Sequence, residues 1–137
     1  VANFRDEVEK AIYDTLNVSS VLDEATGGIW NTHVPPNVKP PWVVFQHISK
    51  LDDYPSFTIR GVGALYQIKV VSDSPWPKAA IAIDTLIDSV MQDASLSMSS
   101  YSLLWCRRES DINLPEERGS EMWSGVGGLW SIIADET

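Results

Sequence analysis

The sequence predicts an α+β domain: a mainly antiparallel sheet of four to five strands with two amphipathic helices packed on one face. Three observations carry this expectation. Two segments, Asn3 to Asn17 and Lys78 to Met91, repeat apolar residues at three- and four-residue spacing. Five others are rich in β-branched and aromatic residues and are bounded by turn formers. Finally, the order is helix, short strand, two long strands, helix, two strands, without the strict alternation of a parallel doubly wound sheet.

In the first helix Phe4, Val8, Ala11, Ile12 and Leu16 line one face. Asn3 can cap it, and Asp6, Glu7 and Glu9 sit in the early turns where the macrodipole favours negative charge. Val18 to Ala25 extends it as a short second turn, which Gly27-Gly28 ends. Ile29 to Thr32 is a short strand. Four prolines between Val34 and Pro41 then fix φ and remove amide donors, giving an extended crossing outside any sheet interior.

Trp42 to Lys50 is a central strand, with Val43, Phe45 and His47 on one side and Trp42, Val44, Gln46 and Ile48 on the other. Leu51 to Val62 contains Asp52-Asp53, Tyr54-Pro55 and Gly61, and reads as a protruding hairpin loop. In the strand Gly63 to Asp73, Tyr66, Ile68 and Val70 share one face, and Leu65, Gln67, Lys69 and Val71 the more mixed one. Ser74 is positioned to cap the second helix, with Pro75 at its first helical position. Ala80, Ile83, Leu86, Ile87, Val90, Met91 and Ala94 form its buried stripe, and Asp84 and Asp88 face solvent. Tyr101 to Ser110 and Met122 to Ala134 are the closing strands, joined by a charged excursion, Asp111 to Glu121. Gly125, Gly127 and Gly128 in the last strand mark a bulge or a close backbone neighbour.

A chain of 137 residues with 44% apolar and 21% charged residues forms about one domain, residues 1–137. The charge is its unusual feature. Ten Lys and Arg against nineteen Asp and Glu give −9, too few cations for tight nucleic-acid binding or for docking on anionic membranes. No run approaches the roughly 18 apolar residues of a spanning helix. Val1 to Arg5 has no signal-like apolar region, and an intracellular product starting near its natural N-terminus is expected.

Chemistry is sparse. The single Cys106 forms no internal disulfide, and as a strand cysteine between Leu104-Trp105 and Arg107-Arg108 it is read as filler, although the arginines could lower its pKa. His33 and His47 are isolated and match no metal-ligand spacing. No Gly-x-Ser-x-Gly elbow, phosphate cradle or dinucleotide fingerprint is present. The pairs Asp52-Asp53 and Glu116-Glu117 read as solvated loop charges, because adjacent side chains diverge. No catalytic, cofactor or metal residue is therefore expected.

Partner surface is better represented. Six tryptophans exceed what one small core is expected to hold. Trp76, between two prolines, is a candidate exposed anchor of the kind enriched at interface hot spots, with packing on the sheet as the alternative. Strands with two apolar faces suggest faces or edges covered by another subunit.

Taken in order, the helix Glu7 to Leu16, the segment Gly27-Gly28-Ile29-Trp30, the strand start Pro41-Trp42-Val43-Val44-Phe45, the strand Ala64 to Ser72 running into the helix Lys78 to Met91, and the closing stretch Leu129-Trp130-Ser131-Ile132-Ile133 resemble the tail-terminator or tail-completion proteins of long-tailed bacteriophages, the neck family with SPP1- and lambda-type terminators. The resemblance implies a non-enzymatic homo-oligomeric ring, usually a hexamer. Such a ring caps the head-proximal end of the tail tube, ends tube polymerisation and meets the head connector or stopper, while DNA passes its bore without tight binding. It places the protein in the virion, and in the host cytoplasm during assembly. The long loops then become the interface candidates: Asp52, Asp53, Tyr54, Phe57 and Arg60 in one, Glu116, Glu117 and Arg118 in the other, with Trp76 beside them. Other readings stay open: a stopper, a head-completion protein or a tube subunit, an adaptor for another protein, or a small-ligand-binding or enzymatic α+β domain whose pocket the sequence does not disclose.

Overall fold

The computed structural model describes residues 4–50 and 61–136. The first helix, α1, spans Phe4–Leu16 and buries Val8, Ala11, Ile12 and Leu16, the face that the periodicity marks. Its outer surface carries the i,i+4 pairs Arg5–Glu9 at 2.6 Å and Lys10–Asp14 at 2.7 Å. The cap expected at Asn3 lies outside the described residues. A single turn, α2 (Ser19–Leu22), follows, then Gly28 at φ 91°, a conformation in which glycine avoids the Cβ clash.

Strand β1 (Ile29–Asn31) pairs in parallel with β2 (Trp42–Lys50), the proline-rich crossing supplying the connection. β2 pairs antiparallel with β3 (Gly61–Ser72), with a register shift after His47. The chain then forms α3 (Lys78–Met91), β4 (Tyr101–Asn113), the short β5 (Glu116–Arg118) and the long β6 (Glu121–Glu136). The sheet order is β1-β2-β3-β6-β4, with β5 paired to β6. β2 thus has a neighbour on both sides, as its two apolar faces predict.

The sheet is mainly antiparallel, as expected, and adds two details: it has six strands, and β1 pairs in parallel. β5 escaped the sequence because Glu116-Glu117-Arg118 has no apolar alternation. The excursion Asp111 to Glu121 is consequently mostly strand. Asp111, Ile112 and Asn113 continue β4 opposite Gly128, Gly127 and Val126, and the turn is confined to the region of Gly119, at φ 65°. β3 likewise starts at Gly61, so Gly61 and Val62 belong to a strand and not to the preceding loop.

Alternation assigns the two faces. Phe45, Ile68 and Gly128 lie in register, as do His47, Tyr66 and Trp130, and their buried members share one core with Val8, Ile12 and Leu16 of α1 and with Ile83, Ile87 and Met91 of α3. One face of the sheet therefore carries both main helices. Burying each such side chain contributes about 1.5–3 kcal/mol.

Two details of α3 differ from the sequence reading. The helix begins after Pro77, not at Pro75, and Ser74 is not its cap. Pro77 disfavours helical ψ at Trp76, so the helix cannot start before it. Ser74 instead shapes the preceding turn: its Oγ accepts from the Trp76 amide at 3.2 Å, and its carbonyl accepts from the Ser124 amide at 3.0 Å and hydroxyl at 2.5 Å. The second detail is Asp84, which does not face open solvent. It forms a two-pronged pair with Arg108, Nη1–Oδ1 3.1 Å and Nη2–Oδ2 2.8 Å, both side chains being about 15% exposed.

The β6 glycines are sites of close approach. A Cβ on Gly125 would strike the Leu114 carbonyl, one on Gly127 would lie 2.8 Å from Lys69 Cα, and one on Gly128 would lie 2.7 Å from Arg108 Nε. Leu114 crosses above Gly125, and its amide donates to the Gly125 carbonyl at 2.7 Å. That crossing lets β5 reach the helix-free side of the sheet.

Candidate functional site

The isolated chemical groups are occupied with structure. Cys106 is fully buried on β4, and burial, assisted by Asp93, pushes its thiol up to about 12. The neighbouring arginines do not lower it, since Arg108 is held by Asp84 and Asp111, the latter at 2.8 Å, and Arg107 stacks on Trp105. His47 stands edge-on to Tyr66 at 5.3 Å, and His33 is exposed in the crossing. Among the described residues no three His, Cys, Asp or Glu side chains are grouped to hold a metal ion, and no helix is long and apolar enough to cross a membrane.

The predicted interface residues divide into two groups. Asp52, Asp53, Tyr54, Phe57 and Arg60 lie outside the described residues, between Lys50 at the end of β2 and Gly61 at the start of β3. Trp76, Glu116, Glu117 and Arg118 are at the opposite end, which also holds the start of β2 and the start of β6. Trp76 is 74% exposed and does not pack on the sheet. Its turn is held by the flanking prolines and by the Ser74–Ser124 bonds.

Glu116 is not a solvated loop charge. It accepts from Lys69 Nζ at 2.8 Å and from Arg118 Nη2 at 2.7 Å. Burial alone would raise its pKa, but those two cations outweigh burial and hold it below the ordinary carboxylate value. Arg118 also lies over Trp42 at 5.6 Å and Trp123 at 5.1 Å, and these two indoles meet edge to face at 5.8 Å. Such stacks contribute about 0.5–2 kcal/mol each. They strap the β5–β6 hairpin over the helix-free face, so part of what two-faced strands suggested as a subunit contact is closed by the chain itself. Glu117 remains exposed.

The tryptophans divide accordingly. Trp42 and Trp130 are buried, Trp30, Trp105 and Trp123 half-buried, and Trp76 projects. Half-buried Val44, Leu65, Leu129 and Trp105 remain on the helix-free face.

One site the sequence reading missed lies at the loop end of the sheet. A cleft of about 330 Å³ opens between the start of α1 and the β2–β3 strand ends, lined by Phe4, Arg5, His47, Lys50, Val62 and Tyr66 among others. Behind it Glu9 accepts from the Tyr66 hydroxyl at 2.8 Å, from Asn31 at 2.7 Å and from Arg5 at 2.6 Å. Burial raises the Glu9 pKa and these hydrogen bonds more than reverse it, leaving it lowered, whereas burial and Glu9 together push Tyr66 well above the usual tyrosine value. The only trace in the sequence is the chemistry of these residues, which a fold must bring together from positions far apart in the chain.

Comparison with known proteins supplies the identity that the site chemistry withholds. No curated protein matches. Among solved structures, a chain from the virion of a native gene transfer agent particle superposes with a TM-score of 0.69 at 14% identity, covering 98% of this chain and 99% of its own. A second solved chain, 15% identical over 98% of this chain and 97% of its own, reaches 0.49, too low to carry an argument. The family model for tail completion protein gp17 matches residues 10–125, most of the chain and all of the sheet except the larger, C-terminal part of β6. The chain belongs to the gp17 tail completion family, whose members are structural proteins of the virion tail.

Proposed function

We propose that the protein forms a homo-oligomeric ring, a hexamer as the resemblance implies, at the head-proximal end of the tail tube. There it ends tube polymerisation and presents a surface to the head connector or stopper. The family membership carries this reading. It is supported by recognition surface at both ends of the strands: the rigid Trp76 turn and the Arg118-strapped hairpin at one end, and the cleft at the other. A closed cyclic ring needs two different patches on each subunit, meeting head to tail. The segment 51–60 is proposed as a contact to the tube or to a neighbouring subunit.

The −9 charge fits the same role. Six copies at −9 each carry −54, and the portion facing a bore repels a phosphate backbone, letting a genome pass without sticking. A bore found neutral or basic would remove that part of the account. Native mass spectrometry tests the ring directly: the expected spectrum holds one closed species at a small integer multiple of 15.2 kDa. Monomer alone up to high concentration, with and without tube protein, contradicts the proposal.

A further inference from the structure

We propose that the turn Gln92-Asp93 guards the outer edge of β4, so that a strand from a second copy cannot add to the sheet there; this goes beyond the ring reading and does not depend on it. Among the described residues β4 is the last strand on its side of the sheet, with β6 as its only strand partner. A strand so placed offers a row of unpaired N–H and C=O groups to any other chain. β4 is 13 residues long, whereas β1, at the opposite edge, has only three. Copies of the same chain are the strands most available to it, because any assembly of identical subunits brings them to high local concentration.

The guard sits at the middle of that row. α3 ends at Met91, followed by Gln92 with extended ψ of 121° and by Asp93 in the left-handed region at φ 55°. The amide of a left-handed residue that closes a helix ordinarily returns to one of the helix's own last carbonyls. Here the Asp93 amide donates instead to the Cys106 carbonyl of β4 at 3.0 Å, and Gln92 Oε1 accepts from the Arg108 amide at 3.3 Å. Residues two apart on a strand aim their main-chain groups to the same side, so these bonds close two successive positions of the outer edge. A left-handed residue with a Cβ is unfavourable, and the chain accepts that cost where the bond to β4 is made. The rest of β4 is blunted in the same sense. Register shifts between Leu103 and Trp105 and between Arg108 and Ser110 break its regularity, and Arg107, Glu109 and Asp111 add exposed charge.

The test opens the guard in the full chain with Gln92→Ala and Asp93→Pro together. Proline cannot adopt φ 55° and has no amide to give, while the extended Gln92 already suits a following proline, so α3 itself is spared. The expected result in sedimentation is species larger than those of the wild type, with hydrogen exchange over residues 101–113 slowing as they form. Asp93→Gly keeps the amide and relieves the conformation, and should assemble as the wild type does. Gln92→Ala alone leaves the main chain untouched and serves if the double variant unfolds: it should speed exchange at Arg108 about fivefold and enlarge the assembly at equal concentration. A folded double variant that assembles as the wild type does overturns the inference. So does Gln92→Ala with unchanged exchange, or with faster exchange and wild-type assembly. Enlarged species in Asp93→Gly would show that the bonds to β4 are not what prevents growth. Wild-type protein whose own association slows exchange over 101–113 would make β4 a native contact, and would overturn the guard as well.

Discussion

Glu9 shows how much of this fold's specificity rests on single polar residues. Its carboxylate ties α1 to β1 through Asn31 and to β3 through Tyr66. Its pKa in the folded state is lowered, so its stabilisation is complete above the ordinary value of 4.5 and is lost as pH falls through the lower folded value. Glu9→Gln should therefore cost about 1–2 kcal/mol at pH 7 and progressively less as the pH falls below 4.5, measured by urea unfolding at pH 7 and at an acid pH below 4.5. An equal cost at both would show that the charge is not what holds the contact. Arg108 plays a similar part at the other edge, joining Asp84, Asp111 and the Gly127 carbonyl, at 2.8 Å for the last, while lying 5.8 Å above the Trp130 ring. The sequence marked neither hub. Charged residues off an apolar stripe read as solvated, and only the sheet register brings Arg108 under the Asp84 turn of α3. Between its two prolines Trp76 stands out in the sequence as a candidate exposed side chain, and it is 74% exposed.

The elements divide by how locally they are encoded. α1, α3 and the four long strands follow from periodicity, since each buries one face and its pattern repeats the geometry of that burial. What the sequence hid depends on distant partners. The sequence predicts β1 as a short strand but not its parallel pairing with β2 across the proline crossing, and β5, paired to β6, is held by Lys69, Trp42 and Trp123. The start of α3 shifted because Pro77 acts on Trp76, a local rule that outweighs the Ser74-Pro75 capping pattern. Glycines in β6 carry the last part of the design. Gly127→Ala should destabilise by more than about 2 kcal/mol, because its Cβ would meet β3 backbone. Gly119→Ala, at φ 65° in open space, should cost only about 1–2 kcal/mol. Urea unfolding of both variants ranks them, and the reverse order would mean that β3 and β6 are not packed as closely as described.

At the scale of the whole molecule, a sheet with helices on one face presents different surfaces at its two strand ends and a helix-free face fastened by a cation-aromatic strap. The exposed features among the described residues include the Trp76 side chain, a charged hairpin and a cleft. In the proposed ring, the −9 charge of each copy suits a conduit past which nucleic acid moves. The most direct test is electron microscopy of tail-tube subunits polymerising with and without the purified protein. Tubes capped at one end by a single ring and arrested at a shorter, uniform length are the predicted result. Tubes of unchanged length with bare ends, or incorporation of the protein along the whole tube, would contradict the account.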